Sequence, residues 1–321
     1  MSKIQYWMPI QKAWDKMVQV LFRPFDMGKW MVIGFAAFLA NLGRESGSNG
    51  NFNSGNRWNG KSLDDLRGGL SEVVDTLIDA WLEYTALIIV ITVSILVLLI
   101  FFSILFNWLN SRGQFMFLDN VIKNRGAVQE PWREYRKEAT SLMIFQILFN
   151  WFGGILVLVL LAGIFSPILV MIMMERFVGG YVVILFGSFC LLIAVSVVCG
   201  FIGMIMNHFV VPLMYQRRGS ILAGFRAFIP VLKAHFWRII LFWIVMILVE
   251  IAIGVAVLLG VLLTCCTALI LLIIPYIGTI ALLPIYVFKR FMGLEFLRQL
   301  GEEYDLLADF DKLQEEPILE P

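Results

Sequence analysis

Apolar residues run almost unbroken through 85 to 109, 141 to 165, 181 to 206 and 239 to 288, and polar and charged residues gather between those runs. Each run matches or exceeds the roughly 20 residues that a helix needs to cross about 30 Å of hydrocarbon, and the last is long enough for two crossings. A shorter apolar stretch around 27 to 43 brings the predicted crossings to six, with Lys29 at its edge able to snorkel to the interface.

Outside the runs the apolar positions fall at helical spacing, and they do so three times. Val128, Trp132, Tyr135 and Ala139 return 93 positions later as Ile221, Phe225, Phe228 and Leu232, and a fainter copy reads Ile10, Trp14, Met17 and Leu21. The flanks repeat as well: Arg125-Gly126-Ala127-Val128 reappears as Arg218-Gly219-Ser220-Ile221, and Trp132-Arg133 as Phe225-Arg226. A fixed period means one structural unit used repeatedly. The predicted unit is an amphipathic segment, a crossing, an outer connector and a second crossing, in copies over about 8–109, 110–206 and 207–299 of a single transmembrane domain, 1–300.

The 93-residue step divides the final apolar run into crossings at 234 to 258 and 274 to 299, with Pro275 near a helix start, where its missing N–H is tolerated. The connectors at 166 to 180 and 259 to 273 are too apolar for free loops and are expected as short interfacial segments. Trp14 and Trp132 lie 118 apart rather than 93, so the first copy carries 25 extra residues. They coincide with an outer insert at 44–62, where positions 46 to 62 hold 13 Gly, Asn or Ser among 17 and bury too little apolar surface to order themselves.

Composition agrees with a lipid environment: of 321 residues, 60% are hydrophobic and 15% charged, against roughly 45–50% and about 25% in soluble domains. The expected fold class is an all-α polytopic integral membrane helical bundle, six transmembrane helices in three tandem repeats with cytoplasmic amphipathic helices. A net charge of +1 hides an asymmetry. Twenty of the 25 Lys and Arg fall on one predicted side, and only Arg44, Arg57, Lys61, Arg67 and Arg176 on the other. By the positive-inside rule both termini are cytoplasmic in a cell (inner) membrane. The first residues lack the apolar core and cleavage site of a removable signal peptide. Cys190, Cys199, Cys265 and Cys266 show no metal or disulfide spacing and are expected as small buried residues.

Several motifs invite chemistry. Gly55 to Ser62 spells the phosphate-loop pattern, but no strand precedes it and a Gly/Asn tract surrounds it, so nucleotide binding is rejected. Ser62-Leu63-Asp64-Asp65 instead reads as a helix cap before an acidic outer helix, which either docks a partner or packs on its own bundle. The amphipathic segments set Trp14, Trp132 and Phe225 beside Lys16, Arg133, Arg136, Arg226 and Lys233, a combination suited to anionic lipid headgroups or to packing beneath the bundle. Glu250, with Asn150 as a possible neighbour, is a midplane polar candidate: an ion-coupled position or a neutral acid hydrogen-bonding between helices. His208 and His235 flank the third amphipathic helix, as a pH-sensitive pair or as lone interfacial side chains. The tail 301–321, with eight carboxylates against Lys312 alone, is expected to fold briefly and fray in solvent. No catalytic motif, cofactor, metal site or nucleic-acid partner is expected, and the role read from the chain is non-enzymatic: organising anionic lipids or protein partners at the membrane. The alternative is a transporter of small solutes or lipids with a site around Glu250.

The run HFVVPLMYQRRGSILAGFRAFIPVLKAHFWRIILF, with PYIGTIALLPIYVFKRF and FLRQLGEEYDLL, resembles a group of uncharacterised bacterial multi-pass membrane proteins. That group is similar in its repeated unit to the membrane domain of some bacterial glycerophosphodiester phosphodiesterases. The resemblance implies architecture and no reaction, because no soluble region here is long enough for the phosphodiesterase barrel.

Overall fold

A computed structural model describes residues 7–42, 63–174, 179–264 and 267–315, and every regular element among them is helical. In chain order these are α1 (Trp7–Phe22), α2 (Met27–Asn41), α3 (Leu63–Ile122), α4 (Gln129–Glu134), α5 (Arg136–Met174), α6 (Gly179–Ile205), a π-helical turn (Met206–Val210), α7 (Val211–Arg217), α8 (Ile221–Leu263), α9 (Thr267–Ile273), α10 (Pro275–Ala281), α11 (Leu283–Leu300), a 3₁₀ turn (Glu302–Tyr304) and α12 (Ala308–Glu315).

Four stretches are long and apolar enough to cross a membrane: Tyr84–Ile122, Arg136–Met173, Gly179–Arg217 and Ile221–Leu263. The pair α10 and α11, bent by 62° at Leu282, makes a fifth if taken as one span. The sixth predicted crossing is α2, and its 15 residues extend only ~22 Å at 1.5 Å per residue, short of the hydrocarbon thickness. Asp26 starts that helix, accepting from the backbone N–H groups of Gly28 at 2.8 Å and Lys29 at 3.3 Å.

α3, α5 and α8 extend beyond the apolar runs they contain, whereas the end of the last run is divided among α9, α10 and α11. The connector expected at 166 to 180 is mostly a continuation of α5, and α3 runs past 109 to Ile122. The distinct connector is α9, which follows α8 across residues outside the description. α3 and α7 end where Asn124 and Arg218 take left-handed backbone conformations (φ 50° and 51°). Amphipathic segment and crossing are separated at Tyr135, between α4 and α5 (φ −96°, ψ 24°), and at His235, inside α8 (φ −127°, ψ 28°). The outer insert, the phosphate-loop match, Ser62 and the Cys265-Cys266 pair lie outside the described residues.

The chain forms two compact units. The first, the packed unit, comprises 1–45, 107–146 and 201–321. Its centre contains the ends of three long helices: residues 110–122 of α3, 204–214 around the π turn, and 291–297 of α11, nearly all buried. On them lie the amphipathic segments. Met17 of α1, Tyr135 before α5 and Phe228 of α8, equivalent positions in the three copies, are each 2% exposed or less. α1 packs along α11, Tyr135 stacks on Phe115 of α3 (5.9 Å between centroids), and Phe228 stacks on Phe209 (5.1 Å). Gly113 is required here, because a Cβ would stand 2.5 Å from the backbone of Leu39 and Ala40 in α2.

The second, the exposed unit, comprises 46–106 and 147–200. Its helical walls are apolar and unburied: Phe152 is 73% exposed and Val183 72%, and Leu160 is the one buried hydrophobe among its described residues. A close approach occurs where Gly163 of α5 faces Ser188 of α6. Cys190 is exposed and Cys199 half-exposed, not buried as their residue type suggested. An apolar surface of this extent is stable only against hydrocarbon or another protein.

Candidate functional site

The chemistry of the packed unit lies in charges held inside or against it. Asp119, one turn before the end of α3, is fully buried and receives four partners: Lys123 Nζ at 2.7 Å, Arg125 Nη2 at 2.9 Å, Tyr215 OH at 2.9 Å and Tyr135 OH at 3.2 Å. Arg125 also forks onto Glu130 (2.8 and 2.9 Å), which raises the guanidinium's pKa and lowers that of Glu130. Arg218 pairs with Glu134 and lies 4.1 Å over the ring of Tyr135, which in turn stacks on Tyr215 at 4.8 Å. Burial pushes the Tyr135 phenol above its usual range, keeping it a hydrogen-bond donor at neutral pH.

A second cluster ties the C-terminal segment to α1. Lys16, 8% exposed, places Nζ 2.9 Å from Glu295 and 2.6 Å from Asp311, while Arg298 reaches Asp311 at 2.7 Å and Asp305 at 3.0 Å. Burial raises the Asp311 pKa, but the hydrogen bonds from Lys16 and Arg298 outweigh it and hold the carboxyl below its ordinary value. The acidic tail does not fray where it is described: Tyr304, Leu307 and Phe310 are 7%, 0% and 1% exposed, and Phe310 packs on Phe291 and beneath the Lys16 ammonium. These apolar residues spaced three apart were the available signal, masked by the surrounding carboxylates.

A third feature is a cation with no carboxylate. Arg112, 8% exposed, lies beside the edge-to-face pair of Trp108 and Trp132, 5.2 and 5.0 Å from their ring centroids, donates from Nη1 to the Trp132 carbonyl at 2.9 Å, and has a buried Nε without a partner.

The residues singled out from the sequence separate into groups. Trp14 is 58% exposed with Phe288 at its edge, 6.3 Å away; Trp132 packs on Trp108 at 5.5 Å; and Phe225 packs on Phe145 at 5.4 Å. Lys16 is occupied by carboxylates, whereas Arg133, Arg136, Arg226 and Lys233 are exposed and, among the described residues, make no ion pair. Glu250 has a cation after all, from another helix: Lys289 of α11, Nζ to Oε1 2.7 Å, with the Glu250 side chain 54% exposed. Asn150 falls in the exposed unit. His235 faces Arg238 at 3.3 Å, and His208 lies against Phe242 and Gly293. Sequence reading missed Asp119 and Arg112. The Arg112 signal was present as a Trp108/Arg112 pair one helical turn apart at the end of an apolar run.

No curated protein and no solved structure matches the chain, and nothing in the comparisons links it to the phosphodiesterase membrane domain. One family model does match, over residues 8–307, and by that extent the chain belongs to a family of unknown function, DUF7544.

Proposed function

We propose that the protein is a non-enzymatic multi-pass organiser of the cell membrane, whose packed unit presents a cationic, aromatic face to anionic lipids at the cytoplasmic leaflet. The reading takes six crossings in three tandem copies, with both termini on that side. The charge asymmetry of 20 Lys and Arg against five supports the orientation. The matched burial of Met17, Tyr135 and Phe228 supports the threefold repeat.

One observation carries the lipid-facing role. Arg133, Arg136, Arg226 and Lys233 are exposed and unpaired among the described residues, whereas Lys16, Lys123, Arg125, Arg218 and Arg298 are held by carboxylates. Near an anionic surface each free cation contributes about 1 kcal/mol. Replacing the four by Gln and measuring retention of phosphatidylglycerol over phosphatidylcholine on the purified full chain tests it. The expected result is a loss of the preference; an unchanged preference rejects the reading.

Transport around Glu250 has one observation in its favour, the 62° break between α10 and α11, since interrupted helices line many transporter sites. Against it, Lys289 already neutralises Glu250. Uptake into vesicles that falls with Glu250→Gln would favour transport.

A further inference from the structure

A buried guanidinium is costly unless an anion answers it, and Arg112 has none among the described residues. The two tryptophan faces offset part of that cost. They leave a cation with one hydrogen bond to protein and an unpartnered Nε. By contrast Asp119 and Lys16 satisfy their charges several times over. The arrangement at Arg112 therefore lacks one component, and that component is negative.

Its place on the chain indicates which anion. Trp108 stands at the end of the apolar run that closes at 109, and Arg112 follows one helical turn later. A Trp at the end of a crossing lies at headgroup level, so the guanidinium one turn on is at the depth of lipid phosphates. Arg133 and Arg136, exposed and without an ion pair among the described residues, belong to the same packed unit. A guanidinium recognises phosphate oxygens through its fork of N–H donors, which an ammonium cannot reproduce.

We propose that Arg112, held against Trp108 and Trp132, is a binding site for the phosphate group of an anionic membrane phospholipid. The site rests on the lipid-facing reading of this face but is narrower than it, because it requires one buried residue instead of a diffuse charge.

The test uses the full chain in detergent, with phosphatidylglycerol, phosphatidylcholine and inorganic phosphate as probes, and counts bound lipid by native mass spectrometry. Arg112→Gln is expected to weaken the tightest phosphatidylglycerol site by about tenfold, the scale of one charge-assisted hydrogen-bond pair. Arg112→Lys, which keeps the charge but loses the planar fork of donors, is expected to bind intermediately; this second variant carries the test if the Gln protein does not fold. Wild-type binding that inorganic phosphate at millimolar concentration does not displace assigns the site to lipid, whereas displacement by free phosphate overturns that assignment. Unchanged phosphatidylglycerol affinity in Arg112→Lys and Arg112→Gln overturns the site even if the four-Gln variant of the surface cations loses its preference, which separates failure of this site from failure of the broader reading.

Discussion

The packed and exposed units are built from the same long helices and solve the problem of burial in opposite ways. In the exposed unit α5 and α6 carry almost uninterrupted apolar sequence and bury almost none of it. In the packed unit the helix ends 110–122, 204–214 and 291–297 include Asn110, Arg112, Gln114, Asp119, Asn207 and Glu295, yet these are buried. The difference shows that burial here does not follow hydropathy alone: polar side chains go inside where hydrogen-bond partners are at hand, as for Asp119 and Glu295, and apolar ones stay outside where lipid can cover them.

The largest effect that sharpens this contrast is expected at Asp119. Asp119→Ala leaves two tyrosine hydroxyls and Lys123 without their close acceptor and Arg125 with Glu130 alone, and should cost about 3 kcal/mol, read as a large fall in the thermal midpoint of the purified protein. Phe152→Ala in the exposed unit, at 73% exposure, should leave that midpoint nearly unchanged. Equal losses would break the comparison.

Gly113→Leu comes next. A branched side chain cannot enter where even a Cβ stands 2.5 Å from the α2 backbone, and the overpacking should cost roughly 1–3 kcal/mol. In the exposed unit Gly154 has nothing within 4 Å of a Cβ, so Gly154→Leu is the matched control, expected to be silent in the same melt.

A smaller effect is expected from acid. Because the folded pKa of Asp311 lies below its ordinary 3.8, the contribution of its pairs with Lys16 and Arg298 is complete at neutral pH. It declines as pH falls below that ordinary value and is lost once pH passes the lower folded one. Hydrogen exchange in 302–315 should therefore be flat from pH 7 to about 5 after correction for intrinsic rates, and Asp311→Asn should raise it at pH 7. Protection unaltered by that substitution would show that Leu307 and Phe310 alone hold the segment.

The apolar runs made the long helices of both units legible in the sequence, and the helical spacing around Trp132 and Phe225 made the amphipathic segments legible. The helix ends between them were not. The pairing of Lys123 and Arg125 was not legible because nothing in their neighbourhood marks Asp119 as buried, and Tyr215, which completes that site, is 96 residues away. The packing of the folded part of the tail was hidden for the same reason, since Lys16, which anchors Asp311, lies 295 positions earlier. Glu250 likewise stood alone on its helix until α11 brought Lys289 to it. Pairings between distant charges leave no local pattern, whereas apolar length and spacing do.

The account depends most on the cationic face and the Gly/Asn insert being on opposite sides of the membrane. Single cysteines replacing Arg133, Arg226 and, in the insert, Asn53, each in a background with the four native cysteines changed to Ser, can be labelled in intact cells with a membrane-impermeant maleimide. Labelling at 53 with protection at 133 and 226 until the cells are opened is the predicted result; labelling of all three positions from outside would contradict it.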